Sequence, residues 1–275
     1  MIVEEEAERM EAGDLRRSLI NQRKPIIDDD IVSDETSKAT FAVYLGALVA
    51  VCGSFTFGCA MGYSTAAESG ITEDLGLSVA AFSVFGSSLT LGGMMGAVFS
   101  GKIADLIGRK HTLWFTQAFS SIGWLCICFS KDVLWLDFGR FFMGIGVGLI
   151  SYVVPIYIAE ITPKDIRGAL VFSNQLMQNC GFSFVYLLGN LVRWRTLALI
   201  CVIPCGLQFL GLFLIQESPR WLAKAGKEKE FESALQKLGG KNAADISREA
   251  EEIRDIIETL EMIQNRNLIF ISKKY

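Results

Sequence analysis

The chain has 275 residues, 51% of them hydrophobic and only 5 of them proline, with a mean hydropathy of +0.37. That apolar excess, gathered into long uncharged runs, excludes an ordinary soluble domain and indicates a membrane protein. The formal net charge of −4 collects in acidic tails rather than on one surface, which argues against nucleic acid as a partner.

Residues 1–39 read as a polar, charged N-terminal tail, with Glu4, Glu5, Glu6, Glu8 and Glu11 at its start and no pattern of a cleavable signal peptide. Six apolar runs of about 20 residues follow, each long enough to cross the hydrocarbon core. They cover approximately 40–63, 80–100, 112–129, 134–158, 170–192 and 196–215. Each is expected to be helical, because an open strand edge leaves its backbone unsatisfied in lipid. The predicted fold is therefore all-α: a six-span transmembrane bundle over 40–215, then a cytosolic helical segment, 216–275, that ends before a seventh span. In that segment "KEKEFESALQKLGG" and "DISREAEEIRDIIETLEMIQ" read as amphipathic helices, the second with Ile253, Ile256, Ile257, Leu260 and Ile263 at helical spacing.

Basic residues set the expected orientation. Arg16, Arg17, Arg23, Lys24 and Lys38 precede the first run, Lys102, Arg109 and Lys110 fall between runs two and three, Lys164 and Arg167 between four and five, and Arg220, Lys224, Lys227 and Lys229 after six. The opposite connections hold only Lys131, Arg193 and Arg195. Both termini are thus predicted to be cytosolic. Within the runs, "LTLGGMMGAVFSG" and "GRFFMGIGVGLIS" space glycines three to four apart, where helix backbones can approach closely. Seven cysteines, all in apolar runs, read as reduced small hydrophobes. A single histidine, His111, leaves no histidine-based metal centre, and no metal or cofactor is expected.

Charges near the spans carry more information, because burying them is expensive. Arg140 opens the fourth run with Asp137 three residues earlier on the same face, so the pair reads either as a functional site or as an interfacial ion pair snorkelling outward. Glu160, in "PIYIAEITPKDIRG", can meet Arg109 or Arg167, and Glu217 and Arg220 in "QESPRWL" sit at the equivalent end of span six. With Asp105 and Lys110 they make a candidate network that holds helix ends together, as a moving latch or as a static clamp. In the fifth run "SNQLMQNCGF" places Gln175, Gln178 and Asn179 at i, i+3 and i+4. Amides donate and accept in fixed geometry, which suits the hydroxyls of a neutral sugar or polyol better than an ion, with interhelical bonding as the rival use.

The stretch "SGKIADLIGRKHT", with Asp105 and "GRK" between runs two and three, resembles the signature loop of the major facilitator superfamily. "GRFFMGIGVGLISYVVPIYIAEITPKDIRGAL" and "QESPRWL" resemble further signatures of its sugar porter branch, and "VAVCGSFTFG" and "VRWRTLAL" look closest to plant monosaccharide transporters of the early-responsive-to-dehydration type. The resemblance implies no enzymatic activity but movement of a monosaccharide, a hexose, by alternating access, with a site between two six-helix halves. It implies sugar contact at Gln175, with Gln178, Asn179 and Phe57 at other cavity positions. It places Asp105, Arg109, Glu160, Arg167, Glu217 and Arg220 in a cytosolic charge network, and it matches Arg140 to an arginine that partners an aspartate in proton-coupled relatives. Here "FGCAMGY" carries Ala60 at that aspartate's place, so facilitated diffusion is expected. Relatives have twelve spans, so a C-terminal half or a full-length transporter is the expected partner besides sugar and lipid. An inactive half acting only as an interaction partner is the alternative. The resemblance points to the vacuolar or plasma membrane, and "LRRSLI", 15–20, fits a leucine-based sorting signal.

Overall fold

In the computed structural model the described residues are 41–239, 247, 250–257, 259 and 262, all within the unit Ala39–Tyr275. The N-terminal tail with its "LRRSLI" stretch, Leu260, Ile263 and the terminal "NLIFISKKY" lie outside them. Among the described residues there are helices and no strand. They are α1 (Phe41–Leu75), α2 (Val79–Ile107), α3 (Arg109–Cys128), α4 (Val133–Ile161), α5 (Arg167–Gly189), α6 (Trp194–Leu214), α7 (Pro219–Lys224) and α8 (Glu228–Gly239), and residues 250–257 are also helical.

Six long helices stand over the six apolar runs. Four of them, α1, α2, α4 and α6, are long and apolar enough to cross a membrane by length and composition. The other two, α3 and α5, have 20 and 23 residues but a more polar makeup, with Thr116, Gln117 and Ser120 buried along α3 and a row of amides along α5. The outer surface is apolar to a degree that suits lipid: Leu91, Val98, Leu207 and Phe213 are each more than half exposed.

Packing follows from small residues. α2 lies along α4, and a Cβ added at Gly96 would stand 3.1 Å from the Gly148 Cα, while one at Gly144 would stand 3.0 Å from the Gly92 Cα. α1 lies along α5 in the same way, where a Cβ at Gly58 would stand 2.9 Å from the Gln178 carbonyl carbon and one at Gly181 would stand 3.0 Å from that of Phe55. Backbone thus meets backbone in two helix pairs, a contact only glycine permits. α3 completes the bundle against α4 and α6, and α1 also touches α4 and α6.

One core cluster gathers Tyr63, Phe85, Trp124, Met143 and Cys201; a second gathers Val43, Leu113, Val153, Tyr157 and Leu212. α7, α8 and residues 250–257 form a third, small cluster around Trp221, Phe231, Leu235 and Ala250. Leu238 of α8 joins the second cluster, so this segment packs against the same end of the bundle. All seven cysteines are free thiols, although Cys180 is exposed rather than buried.

The stretch around Asp105 is less of a loop than it reads. α2 continues to Ile107, α3 starts at Arg109, and Gly108 alone makes the turn, with φ +98° and ψ 163°. Gly101 lies inside α2.

Candidate functional site

Five helix ends, those of α2, α3, α4, α6 and α7, converge at the Gly108 turn. Arg109 is almost fully buried, at 9% exposure. Its Nε and Nη2 donate to Oε2 and Oε1 of Glu160 at 2.9 and 3.1 Å, a two-pronged pairing across α3 and α4. Its Nη1 donates to the Ala104 carbonyl at 3.0 Å and to Asp105 Oδ1 at 2.9 Å. Ser218, which caps α7, donates to Glu160 Oε2 at 2.5 Å.

Glu217 has a separate task. Its carboxylate accepts from the main-chain N–H of Lys110 at 2.9 and 3.1 Å and from that of Ser218 at 2.9 Å, placing negative charge at the start of α3. The Lys110 ammonium donates to the Ile215 carbonyl at 2.8 Å, closing the end of α6. Trp221 Nε1 donates to the Asp105 carbonyl at 2.8 Å, and Tyr157 donates to the Gln216 carbonyl at 2.7 Å. Gly108 is required here twice over. Its backbone occupies a region closed to other residues, and a Cβ would meet the Glu217 Cδ at 3.0 Å and the Trp221 ring at 3.3 Å.

The structure therefore brings together Asp105, Arg109, Lys110, Glu160 and Glu217. Arg167 and Arg220 stand apart. Among the described residues neither pairs with a carboxylate. Arg167 instead donates to the Thr162 carbonyl, at 3.1 Å through Nη2, closing the end of α4.

Arg140 is fully buried, which overturns the snorkelling interfacial pair. It has no ion pair with Asp137, because the bundle draws it inward between α1 and α2. Its Nη1 donates to the Ala60 carbonyl at 2.9 Å and its Nη2 to the Ser64 hydroxyl. The guanidinium carbon lies 4.7 Å from the Phe85 ring centroid, a cation–π contact, and Nε has no partner. Among the described residues this is the one buried guanidinium without a carboxylate, and it sits against the backbone of Ala60.

On α5, Gln175 and Asn179 are exposed and Gln178 is half-buried. No hydrogen bond among the described residues occupies their amides. Phe57, on α1, is half-buried and packs against both large core clusters. Asn174, one turn before Gln178, lies on the side of α5 that meets α1 and accepts a hydrogen bond from Ser54. A buried amide pair, Gln117 of α3 with Gln208 of α6, lies over Gly53. Sequence reasoning passed over Ser54, Asn174, Gln117 and Gln208. For Gln117 and Gln208 the usable signal was a lone amide in each of α3 and α6, which has to find a partner once buried.

Comparison with known proteins agrees with this architecture. The family model described as "Sugar (and other) transporter" matches residues 35–274. The chain is 52% identical over 252 residues to the sugar transporter ERD6 of Arabidopsis thaliana, covering 92% of this chain and 50% of that protein. It is 54% identical to sugar transporter ESL1 of the same plant, over 93% of this chain and 52% of that protein, and 52% identical to sugar transporter ERD6-like 9, over 89% and 74%. The chain thus spans about half the length of the first two. Among solved structures it is similar to the proton:xylose symporter XylE bound to 6-bromo-6-deoxy-D-glucose, with TM-score 0.75 and 24% identity over 83% of this chain and 56% of that one. A partially occluded, inward-open XylE of E. coli gives TM-score 0.70 and 25% identity over 84% and 61%. The chain belongs to the sugar (and other) transporter family, whose members are membrane transporters and not enzymes, and it shares the fold of the major facilitator superfamily symporter XylE.

Proposed function

We propose that this chain supplies one half of a carrier that moves a monosaccharide, a hexose, across a membrane by alternating access and without proton coupling. The observation that carries the reading is the α5 face, where Gln175 and Asn179 are exposed and their amides are unoccupied among the described residues. A sugar hydroxyl both donates and accepts, and an amide answers both. Gln178 and Phe57 extend that surface along α5 and α1. Family membership and a length about half that of the relatives support a site completed by a second six-helix half, in the same or another chain.

The Asp105, Arg109, Lys110, Glu160 and Glu217 network serves in this reading as the latch that holds the helix ends on the cytosolic side and loosens as they part. Arg167 and Arg220, close by but outside it, are left to meet carboxylates of the second half. Arg140 faces Ala60 rather than a carboxylate, so no proton-binding pair exists there. Both ends of the chain face the cytosol, and the membrane is that of the vacuole or the cell surface.

Uptake of labelled glucose or fructose into proteoliposomes tests the proposal. Saturable flux is expected, with the Gln175→Ala variant raising KM about tenfold through loss of one or two hydrogen bonds. Saturable flux with an unchanged KM in that variant contradicts the assignment of the α5 face to the sugar, and no saturable flux even with the C-terminal six-span half of a relative reconstituted alongside contradicts the carrier reading.

A further inference from the structure

At the end of the bundle opposite the ionic network, the turn between α3 and α4 borders a cleft of about 370 Å³ that the sugar reading does not use. Leu125, Cys126 and Phe129 line it from α3, and Lys131, Asp132 and Trp135 from the turn and α4. Its walls are apolar and open outward: Phe129 is 72% exposed and Trp135 59% exposed. Its rim carries one positive and one negative side chain on consecutive residues. Asp132 occupies the N-cap position of α4, yet its side chain accepts no capping bond. Among the described residues neither Lys131 nor Asp132 forms an ion pair.

The rim is held in place from behind. Arg195 of α6 donates through Nη2 to the Ser130 carbonyl at 3.2 Å and through Nη1 to Asp74 of α1 at 2.9 Å. Trp194 Nε1 donates to the same Asp74 oxygen at 2.8 Å, and the Ser130 hydroxyl donates to the Ile127 carbonyl at 2.8 Å. Ser130 is only 2% exposed. The turn that presents Lys131 and Asp132 is thus tied to three helices while the two charged side chains stay in solvent.

We propose that this cleft is a binding site for one zwitterionic phospholipid. Indole rings favour the headgroup level of a bilayer, and Trp135 stands at the end of a membrane-spanning helix. The upper acyl chain lies against Leu125, Cys126 and Phe129. The Lys131 ammonium pairs with the lipid phosphate and the Asp132 carboxylate with the lipid amine, so the adjacent opposite charges match the two charges of the headgroup. An anionic lipid satisfies only Lys131 and brings Asp132 into repulsion.

Native mass spectrometry of the purified full chain in detergent, titrated with phosphatidylethanolamine, phosphatidylcholine and phosphatidylglycerol, tests the site. One retained zwitterionic lipid is expected, bound at least threefold more tightly than phosphatidylglycerol. Lys131→Ala and Trp135→Ala each weaken that retention several-fold, and Asp132→Asn erases the preference over phosphatidylglycerol. Leu207→Ala, on the exposed face of α6, leaves retention unchanged. All these positions are exposed, and circular dichroism checks that each variant keeps its helix content. Equal or tighter binding of phosphatidylglycerol to the parent chain, or equal retention in the three cleft variants, overturns the proposal and leaves only ordinary boundary lipid.

Discussion

Two arginines are buried in this bundle, and the molecule treats them in opposite ways. Arg109, at one end, meets Glu160 with two prongs and Asp105 with a third. Arg140, deeper in, meets a backbone carbonyl, a hydroxyl and an aromatic face, with no carboxylate bonded to it. The first charge is matched and ties three helix ends together; the second is tolerated by dipoles and rings. The difference teaches which charge the fold depends on. Removing one partner of a matched buried pair leaves an uncompensated charge, whereas removing an unmatched charge also removes its desolvation penalty.

Replacing each arginine by methionine separates the two. Arg109→Met leaves Glu160 and Asp105 without their guanidinium and should cost about 3 kcal/mol or more of stability. It is read as earlier thermal exposure of the buried Cys59, Cys201 and Cys205 thiols to a reactive dye in detergent. Arg140→Met, which keeps the side chain's length without the charge, should leave the parent's midpoint unchanged within about 1 kcal/mol or raise it. Equal losses in the two variants break the comparison.

Gly108→Ala tests whether the matched end also depends on its turn. The new methyl group strains the backbone at φ +98° and presses on Glu217 and Trp221, which should cost about 2–3 kcal/mol in the same assay. A smaller effect isolates the charge that caps α3. Glu217→Gln keeps an acceptor for the Lys110 N–H but loses the negative charge at the helix start, and should lower stability by about 1 kcal/mol. A loss as large as that of Arg109→Met would give Glu217 a part in the Arg109 cluster that its separate bonding denies.

Much of this was legible in the sequence, for a physical reason: lipid forces long apolar helices and pushes charges to their ends. The six helices and a pairing of Glu160 with Arg109 or Arg167 follow from that rule, and the structure shows the partner to be Arg109. Hydropathy says less about where helices stop. α1 runs to Leu75, well past the apolar run that ends near Tyr63, because "STAAESGITEDL" remains helical outside the apolar stretch. From its place near the start of a span Arg140 reads equally as a functional group or as an interfacial one, and only the packing of α1, α2 and α4 around it shows that it is enclosed. Ser54 with Asn174 and Gln117 with Gln208 escaped notice because each pair joins residues 120 and 91 positions apart. Local pattern carries no sign of such partners.

In the proposed reading Arg140 faces Ala60 instead of a carboxylate, and the carrier has no proton to move there. Hexose flux in proteoliposomes, measured with and without an imposed inward proton gradient, tests it most directly. The account predicts equal initial rates and no accumulation above the outside concentration under either condition. Gradient-driven accumulation abolished by a protonophore would contradict it and would direct attention to the buried, unpartnered Oδ1 of Asp137.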